Sequence, residues 1–139
     1  MNLTYNMTKK SKKILTEISA GELLDKISIL EIKLDKIKEK ENLQEIDKEY
    51  KSLNETKKSH LEITPDIQNL IIQLKDVNIK LWSIEDEKRI CEKNKDFSKK
   101  FIELARSVYI NNDKRAKIKS EINKILGSNI REIKEYADY

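Results

Sequence analysis

Apolar residues recur along this chain at helical spacing, and polar caps divide the recurrence into segments. Leu23, Ile27, Leu30, Leu34 and Ile37 follow at intervals of 4, 3, 4 and 3, which places them on one helical face. Ser19 and Glu22 stand as N-cap and N3 of a capping box, and Ile18 and Leu23 occupy the hydrophobic-staple positions. These signals predict a helix that starts near Ala20. Ile29 and Ile32 lie off its main stripe, so this helix is either central in a bundle or part of a subunit contact. After Ile37 the segment 38–42 is polar, and a new series follows at Leu43, Ile46, Tyr50 and Leu53. Asn42 with Glu45 can cap it, which predicts a second helix over about 43–58. One continuous helix over 20–58 is the alternative.

Residues 57–64 read as a loop. Thr64-Pro65 supplies an N-cap and an N1 proline for a third helix. Ile67, Leu70, Leu74, Val77, Leu81 and Ile84 then repeat at helical spacing, with Ile72 and Ile79 off the stripe, which suggests a second buried face. That helix is expected to reach Lys93, with Cys91 as a buried apolar group. A turn over 93–96 leads to a fourth helix carrying Phe97, Phe101, Leu104, Ala105, Val108, Ile122, Ile125 and Leu126. Gly127 stands at its C′ position. Asn129 with Glu132 predicts a short last helix over 130–136. The fold class expected is an all-α antiparallel bundle of four main helices with a short C-terminal helix.

Composition supports a folded chain. Charged residues make up 39% of the 139 positions, but 21 Ile, 14 Leu, 2 Val and 2 Phe exceed a quarter of the chain, above the level typical of disorder. Two Gly and one Pro argue against a turn-rich β protein. One Cys excludes an internal disulfide and a multi-cysteine zinc site, and one His leaves only His60 for a histidine-based nucleophilic centre. No apolar run approaches the roughly 20 residues of a membrane span. The net charge of +4 lies wholly in 1–13, where Lys9, Lys10, Lys12 and Lys13 meet no acid. The expected organisation is a disordered basic tail over 1–13 and one helical domain over 14–139. A neutral body without a basic stripe disfavours nucleic acid as a partner. Without a signal peptide the expected location is cytoplasmic.

The apolar register fails at one place. A buried stripe on the fourth helix should run from Val108 through 112, 115 and 119 to Ile122, but those positions hold Asn112, Arg115 and Lys119. Such breaks are expected at functional or strained sites. Arg106, Tyr109 and Asp113 run beside them. The third helix has a polar edge of Asn78, Trp82, Glu85, Arg89 and Glu92. An antiparallel hairpin turning near 95–96 would set Glu85 against Arg106, Trp82 against Tyr109 and Asn78 against Asp113. With 25 Lys and only four Arg, Arg89, Arg106 and Arg115 look retained for planar, bidentate hydrogen bonding. Arg106, Tyr109, Asn112, Arg115 and Lys119 are therefore the anion-binding candidates. Glu85, Arg89, Glu92 and Asp113 are the acid–base or ion-pair candidates. A structural ion-pair network and a pocket for a phosphate or carboxylate both fit this pattern, and solvent access to Arg115 and Lys119 separates them. Glu85, Asp86 and Glu92 could approach a Mg²⁺, but Arg89 beside them favours ion pairing, so no metal and no cofactor is expected.

Three blocks resemble a small uncharacterised all-helical family, a domain of unknown function seen in bacteria and phages. They are the run from Glu17 to Lys33, the run from Leu81 to Asp86, and the run from Phe101 to Tyr109. The likeness continues through Asn112 to Ala116, Ile118, Lys119, Ile122 and Asn123. The family often has Pro where this chain has Ala20. The resemblance implies a link, in some cases, to genes for surface-polysaccharide synthesis, and it supplies no catalytic residues. Helical chorismate mutases share only the outline, because they use an Arg on the first helix and 20–58 contains none. Helical nucleotide pyrophosphohydrolases place Glu-x-x-Glu before Glu-x-x-Asp, whereas here Glu22-x-x-Asp25 precedes Glu132-x-x-Glu135.

The functional expectation is a non-enzymatic interaction or scaffold protein of coiled-coil character, forming a homodimer or meeting a protein partner. The alternative is an enzyme or sensor holding a small anion between the third and fourth helices. The sequence leaves enzymatic status open.

Overall fold

The computed structural model describes residues 12–139, so most of the predicted basic tail lies outside the described residues. Four helices follow in order: α1 over Ala20–Lys36, α2 over Lys40–His60, α3 over Pro65–Lys93 and α4 over Lys99–Ile125. The fold is an all-α bundle, with no strand among the described residues.

Local chemistry explains several of the helix ends. The Ser19 hydroxyl accepts from the Glu22 N–H at 3.1 Å, half of the expected capping box. The other half is not made, because the Glu22 carboxylate is drawn to Lys119. α1 stops at Ile37, whose extended backbone (φ −83°, ψ 138°) excludes one continuous helix over 20–58. Glu39, rather than Asn42, is the N-cap residue of α2, and Asn42 Nδ2 donates to the Glu39 carboxylate at 3.0 Å. The second helix is therefore longer than predicted at both ends. Thr64 and Pro65 start α3 as expected, with Thr64 Oγ1 accepting from the Ile67 N–H.

The α3–α4 turn spans residues 94–98, two residues beyond the expected end at 96. The Asp96 N–H reaches the Cys91 carbonyl and the Lys95 N–H reaches the Glu92 carbonyl, closing a Schellman motif. Lys95 holds the left-handed position at φ 54°, where glycine is preferred. Phe97 belongs to this turn, not to α4, and meets the Phe101 ring edge-on at 5.3 Å. Lys95→Gly is expected to raise stability by up to about 1 kcal/mol, the relief of the backbone conformation less the added entropy of glycine in the unfolded chain. Chemical denaturation of the two proteins side by side checks this.

α4 ends in a second Schellman motif. Gly127 has φ 61°, its N–H points to the Lys124 carbonyl, and the Ser128 N–H reaches the Asn123 carbonyl. No helix follows: residues 129–139 are irregular and exposed. The expected C-terminal helix is thus corrected. Seven residues are too few to offset helix nucleation alone. Glu132 is drawn instead to Lys119, and Asn129 donates to Glu17 at 2.7 Å rather than capping a helix.

α3 and α4 form a long antiparallel hairpin. α1 lies across it in contact with both, and α2 touches α1 alone among the helices. Leu24, Ile67, Leu74 and Ile122 make the central cluster, one from α1, two from α3 and one from α4. Leu23, Ile27, Leu30 and Ile32 of α1 are buried as well. This accounts for off-stripe Ile32, because a helix covered by three others is apolar on more than one side, while Ile29 is half-buried. α2 has no fully buried residue and packs through half-buried Leu43, Ile46, Tyr50 and Leu53.

The start of α1 is fastened to the end of α4. The Ala20 N–H donates to Ser128 Oγ at 3.1 Å and the Gly21 N–H to Asn123 Oδ1 at 2.7 Å. With the Ser19 cap, these bonds occupy N–H groups that a helix start otherwise leaves without a partner.

Candidate functional site

The fastening sets α1 close enough to α4 for charges to meet across the contact. Asp25, one turn into α1, is 1% exposed. Its Oδ1 accepts from Arg115 Nε at 2.9 Å and from Asn78 Nδ2 at 3.0 Å. Its Oδ2 accepts from Arg115 Nη2, so the guanidinium grips the carboxylate with two parallel bonds. Asn78 spends its second proton on Ser28 Oγ at 3.2 Å. One α4 turn further on, Lys119 Nζ donates to Glu22 at 2.7 Å and to Glu132 at 3.1 Å, and lies 3.8 Å from Asp25.

Helical periodicity explains why these residues converge. Gly21, Asp25, Ser28 and Ile32 share one face of α1, at spacings of 4, 3 and 4. Arg115, Lys119 and Asn123, each four apart, share the facing side of α4. Asp25 and Arg115, and Glu22 and Lys119, pair as antiparallel helices require.

Electrostatics follow the geometry. Burial opposes ionisation of Asp25, but hydrogen bonds from Arg115 and Asn78 and the charges of Arg115 and Lys119 outweigh it, and the carboxyl is held below its ordinary range. Burial likewise opposes the charge on Lys119, and the carboxylates of Glu22, Glu132 and Asp25 outweigh it and raise its pKa. Lys119 holds Glu132 below the usual carboxylate range. Two cations thus face three carboxylates, and both are occupied by carboxylates of this chain.

The other predicted residues lie elsewhere. Arg106 is exposed beside Tyr109. Tyr109 is 42% exposed and meets the Tyr139 ring edge-on at 5.1 Å. Asn112 Oδ1 accepts from Arg115 Nη1 at 3.4 Å, and Asp113 accepts from the Tyr139 hydroxyl at 2.7 Å. Glu85 lies 3.6 Å from Lys88, while Arg89 and Glu92 are exposed. The three pairings expected across the hairpin are corrected accordingly: Glu85 pairs with Lys88, Tyr109 with Tyr139, and Asn78 with Asp25 and Ser28. A hairpin register considers only two helices, whereas Asn78 finds its partners on α1, Tyr109 in the C-terminal segment and Glu85 within α3 itself. Of the three arginines singled out, Arg115 makes the planar two-bond contact.

Sequence reasoning missed Asp25, Glu22, Ser28 and Asn123. A signal was present in the small and polar face at 21, 25 and 28, set beside the apolar stripe of the same helix. Among the described residues, no group of three His, Cys, Asp or Glu side chains converges as a metal site would require. No described helix is long and apolar enough to cross a membrane.

Open space remains beside the network. A cleft of about 330 Å³ lies between α1, α3 and α4, with Arg115 at one end and Trp82 and Arg89 in its wall. A cavity of about 270 Å³ lies between α4 and residues 132–134, next to Lys119.

Residues 14–138 match the model of a family of unknown function, DUF6165. The chain belongs to this family. No curated protein and no solved structure matches it. The family segment contains all four helices and each member of the charge network, Glu132 included.

Proposed function

We propose that this member of DUF6165 is a non-enzymatic helical interaction protein that associates with a second copy of itself through the outer side of α3. One observation carries the reading: Ile72, Ile79 and Ile90 of α3 are between 40% and 55% exposed. Ile72 and Ile90 are 18 residues apart, five full turns, and Ile79 departs from their line by only about 20°. The three fall on one line about 27 Å long, with Asp76, Ser83 and Asp86 between them on the same face. Half-exposed isoleucines repeated along one face of a helix are the kind of apolar surface a partner helix covers. The spacing suits a two-fold contact of coiled-coil type. An antiparallel α3 pair centred near residue 81 sets Ile72 of one copy against Ile90 of the other, as a self-complementary interface requires.

The inward polar register supports the same reading, because its cations are committed to Asp25, Glu22 and Glu132 and hold the bundle together. Cys91, a buried free thiol, suits a reducing compartment, and a cytoplasmic location belongs with the proposal. Sedimentation of the wild type at about 100 µM, far above the Kd of a stable dimer, is expected to give a dimer. Ile72→Glu combined with Ile79→Glu is expected to give a folded monomer with unchanged helicity. A wild type that sediments as a monomer at that concentration would overturn the reading.

A further inference from the structure

The cleft between α1, α3 and α4 carries charged residues, Glu85, Asp86 and Arg89, that lie outside the network around Asp25. Its volume of about 330 Å³ falls at the lower end of small-molecule sites, which span roughly 300–1,000 Å³. Its lining divides by chemistry. Ile29 and Ile32 of α1 and Leu81 and Trp82 of α3 give an apolar floor and wall. Glu85, Asp86 and Arg89 stand within little more than one turn of α3 and bring both charge signs to the rim. Glu85 is 3.6 Å from Lys88, a long contact, and Asp86 and Arg89 are exposed. Arg115 closes the far end, fixed there by Asp25 and Asn112.

We propose that this cleft binds a free apolar α-amino acid. The side chain of the ligand lies on Ile29, Ile32, Leu81 and the Trp82 ring. Its carboxylate meets the Arg89 guanidinium, and its ammonium meets the carboxylates of Asp86 and Glu85. A rim with one sign of charge would select an acid or an amine, whereas a rim with both, one turn apart, selects a zwitterion. Burying the apolar body supplies affinity, and the paired charges supply orientation. Ile72, Ile79 and Ile90 do not line the cleft, but Asp86 of its rim lies between Ile79 and Ile90 on α3, so the titration is run at a concentration where sedimentation shows the monomer.

Trp82 is the only tryptophan of the chain, so its fluorescence reports on the cleft directly. The full-length protein is titrated with L-leucine, which does not absorb where tryptophan is excited. Three fragments of the same molecule serve as comparisons: 4-methylpentanoate without the amine, 3-methylbutylamine without the carboxylate, and glycine without the apolar body. The expected result is a saturable change in Trp82 emission with leucine, with a Kd of about 1 mM or tighter. Each fragment is expected to bind about tenfold more weakly, the loss of one charge-assisted contact or of the buried body. Arg89→Gln and Asp86→Asn are exposed substitutions that leave the fold intact, as far-ultraviolet circular dichroism verifies, and each is expected to weaken leucine by a similar factor. No saturable response to leucine would overturn the proposal. So would a fragment that equals leucine, or an Arg89→Gln protein that binds it unchanged.

Discussion

Arg115→Leu is expected to cost about 3 kcal/mol, the lower end of what breaking a buried ion pair costs. The guanidinium supplies two of the bonds to Asp25, and Asp25 is 1% exposed. Without it the carboxylate stays buried with the Asn78 amide and with Lys119 at 3.8 Å, a cation already shared with Glu22 and Glu132. Urea denaturation measures the loss. Adding Asp25→Asn to Arg115→Leu removes the stranded charge and is expected to return about half of it, because the dominant cost is desolvation of one ion. A double variant as unstable as the single one would show that Arg115 acts by packing its stem rather than by pairing.

The pH dependence separates the same two accounts. In the wild type the carboxyl of Asp25 lies below its unfolded value of about 3.9, so its contribution is present above that pH and fades as pH falls through the folded value. Lys119 lies above its unfolded value of about 10.4, so its contribution is present below that pH and fades as pH rises through the folded value. In Arg115→Leu, burial acts on Asp25 with its main opponent gone, and the folded pKa is expected to rise above the unfolded one. The folded state then binds more protons than the unfolded state. The variant is therefore expected to be more stable at about pH 5 than at about pH 7, whereas the wild type gains nothing on that descent from Asp25.

Sequence and structure agree at the strongest local signals. Ser19, Thr64-Pro65 and Gly127 act within four residues of themselves, and each marks a helix end as expected. The start of α2 is displaced because Glu39 takes the N-cap position without a side-chain cap bond and its carboxylate accepts from Asn42, whose side chain is thereby drawn away from capping. The last predicted helix fails for a different reason. Its pattern is helical, but seven residues do not sustain a helix, and one long-range ion pair from Glu132 to Lys119 suffices to draw the segment elsewhere. The polar break at 112, 115 and 119 was legible as a break. Its partners were not, because Asp25 and Arg115 stand 90 residues apart and their meeting depends on where α1 lies across the α3–α4 hairpin. Off-stripe isoleucines show the same limit: Ile32 is buried under neighbouring helices and Ile72 faces outward, though both look alike along the chain.

What fixes the position of α1 is a missing side chain, and Gly21→Ala tests it. Inside a helix glycine is worse than alanine by about 0.5–1 kcal/mol, so the substitution would stabilise an isolated α1. Here a Cβ at position 21 would sit 2.7 Å from the Lys119 carbonyl oxygen and 3.1 Å from the Lys119 Cα. It would also sit 2.9 Å from Asn123 Oδ1, the atom that accepts the Gly21 N–H. Backbone cannot rotate out of the way as a side chain can, so α1 must lift from α4. That shift stretches the Asn123 bond and the contacts of Glu22 and Asp25 with Lys119 and Arg115. The net loss is expected to be about 2 kcal/mol, within the range of overpacking and after the gain in helix propensity. Asn123→Ala in the same chain should not restore it, because the clash with Lys119 is with main chain. Gly127→Ala gives the contrast: no atom lies within 4 Å of its Cβ, and its cost of about 1 kcal/mol comes from the positive φ alone. Thermal melts of the three variants distinguish the two causes. If Gly21→Ala melts at or above the wild type, the helices are not held at the distance that brings Asp25 to Arg115, and the charge network must be re-formed by some other approach of α1.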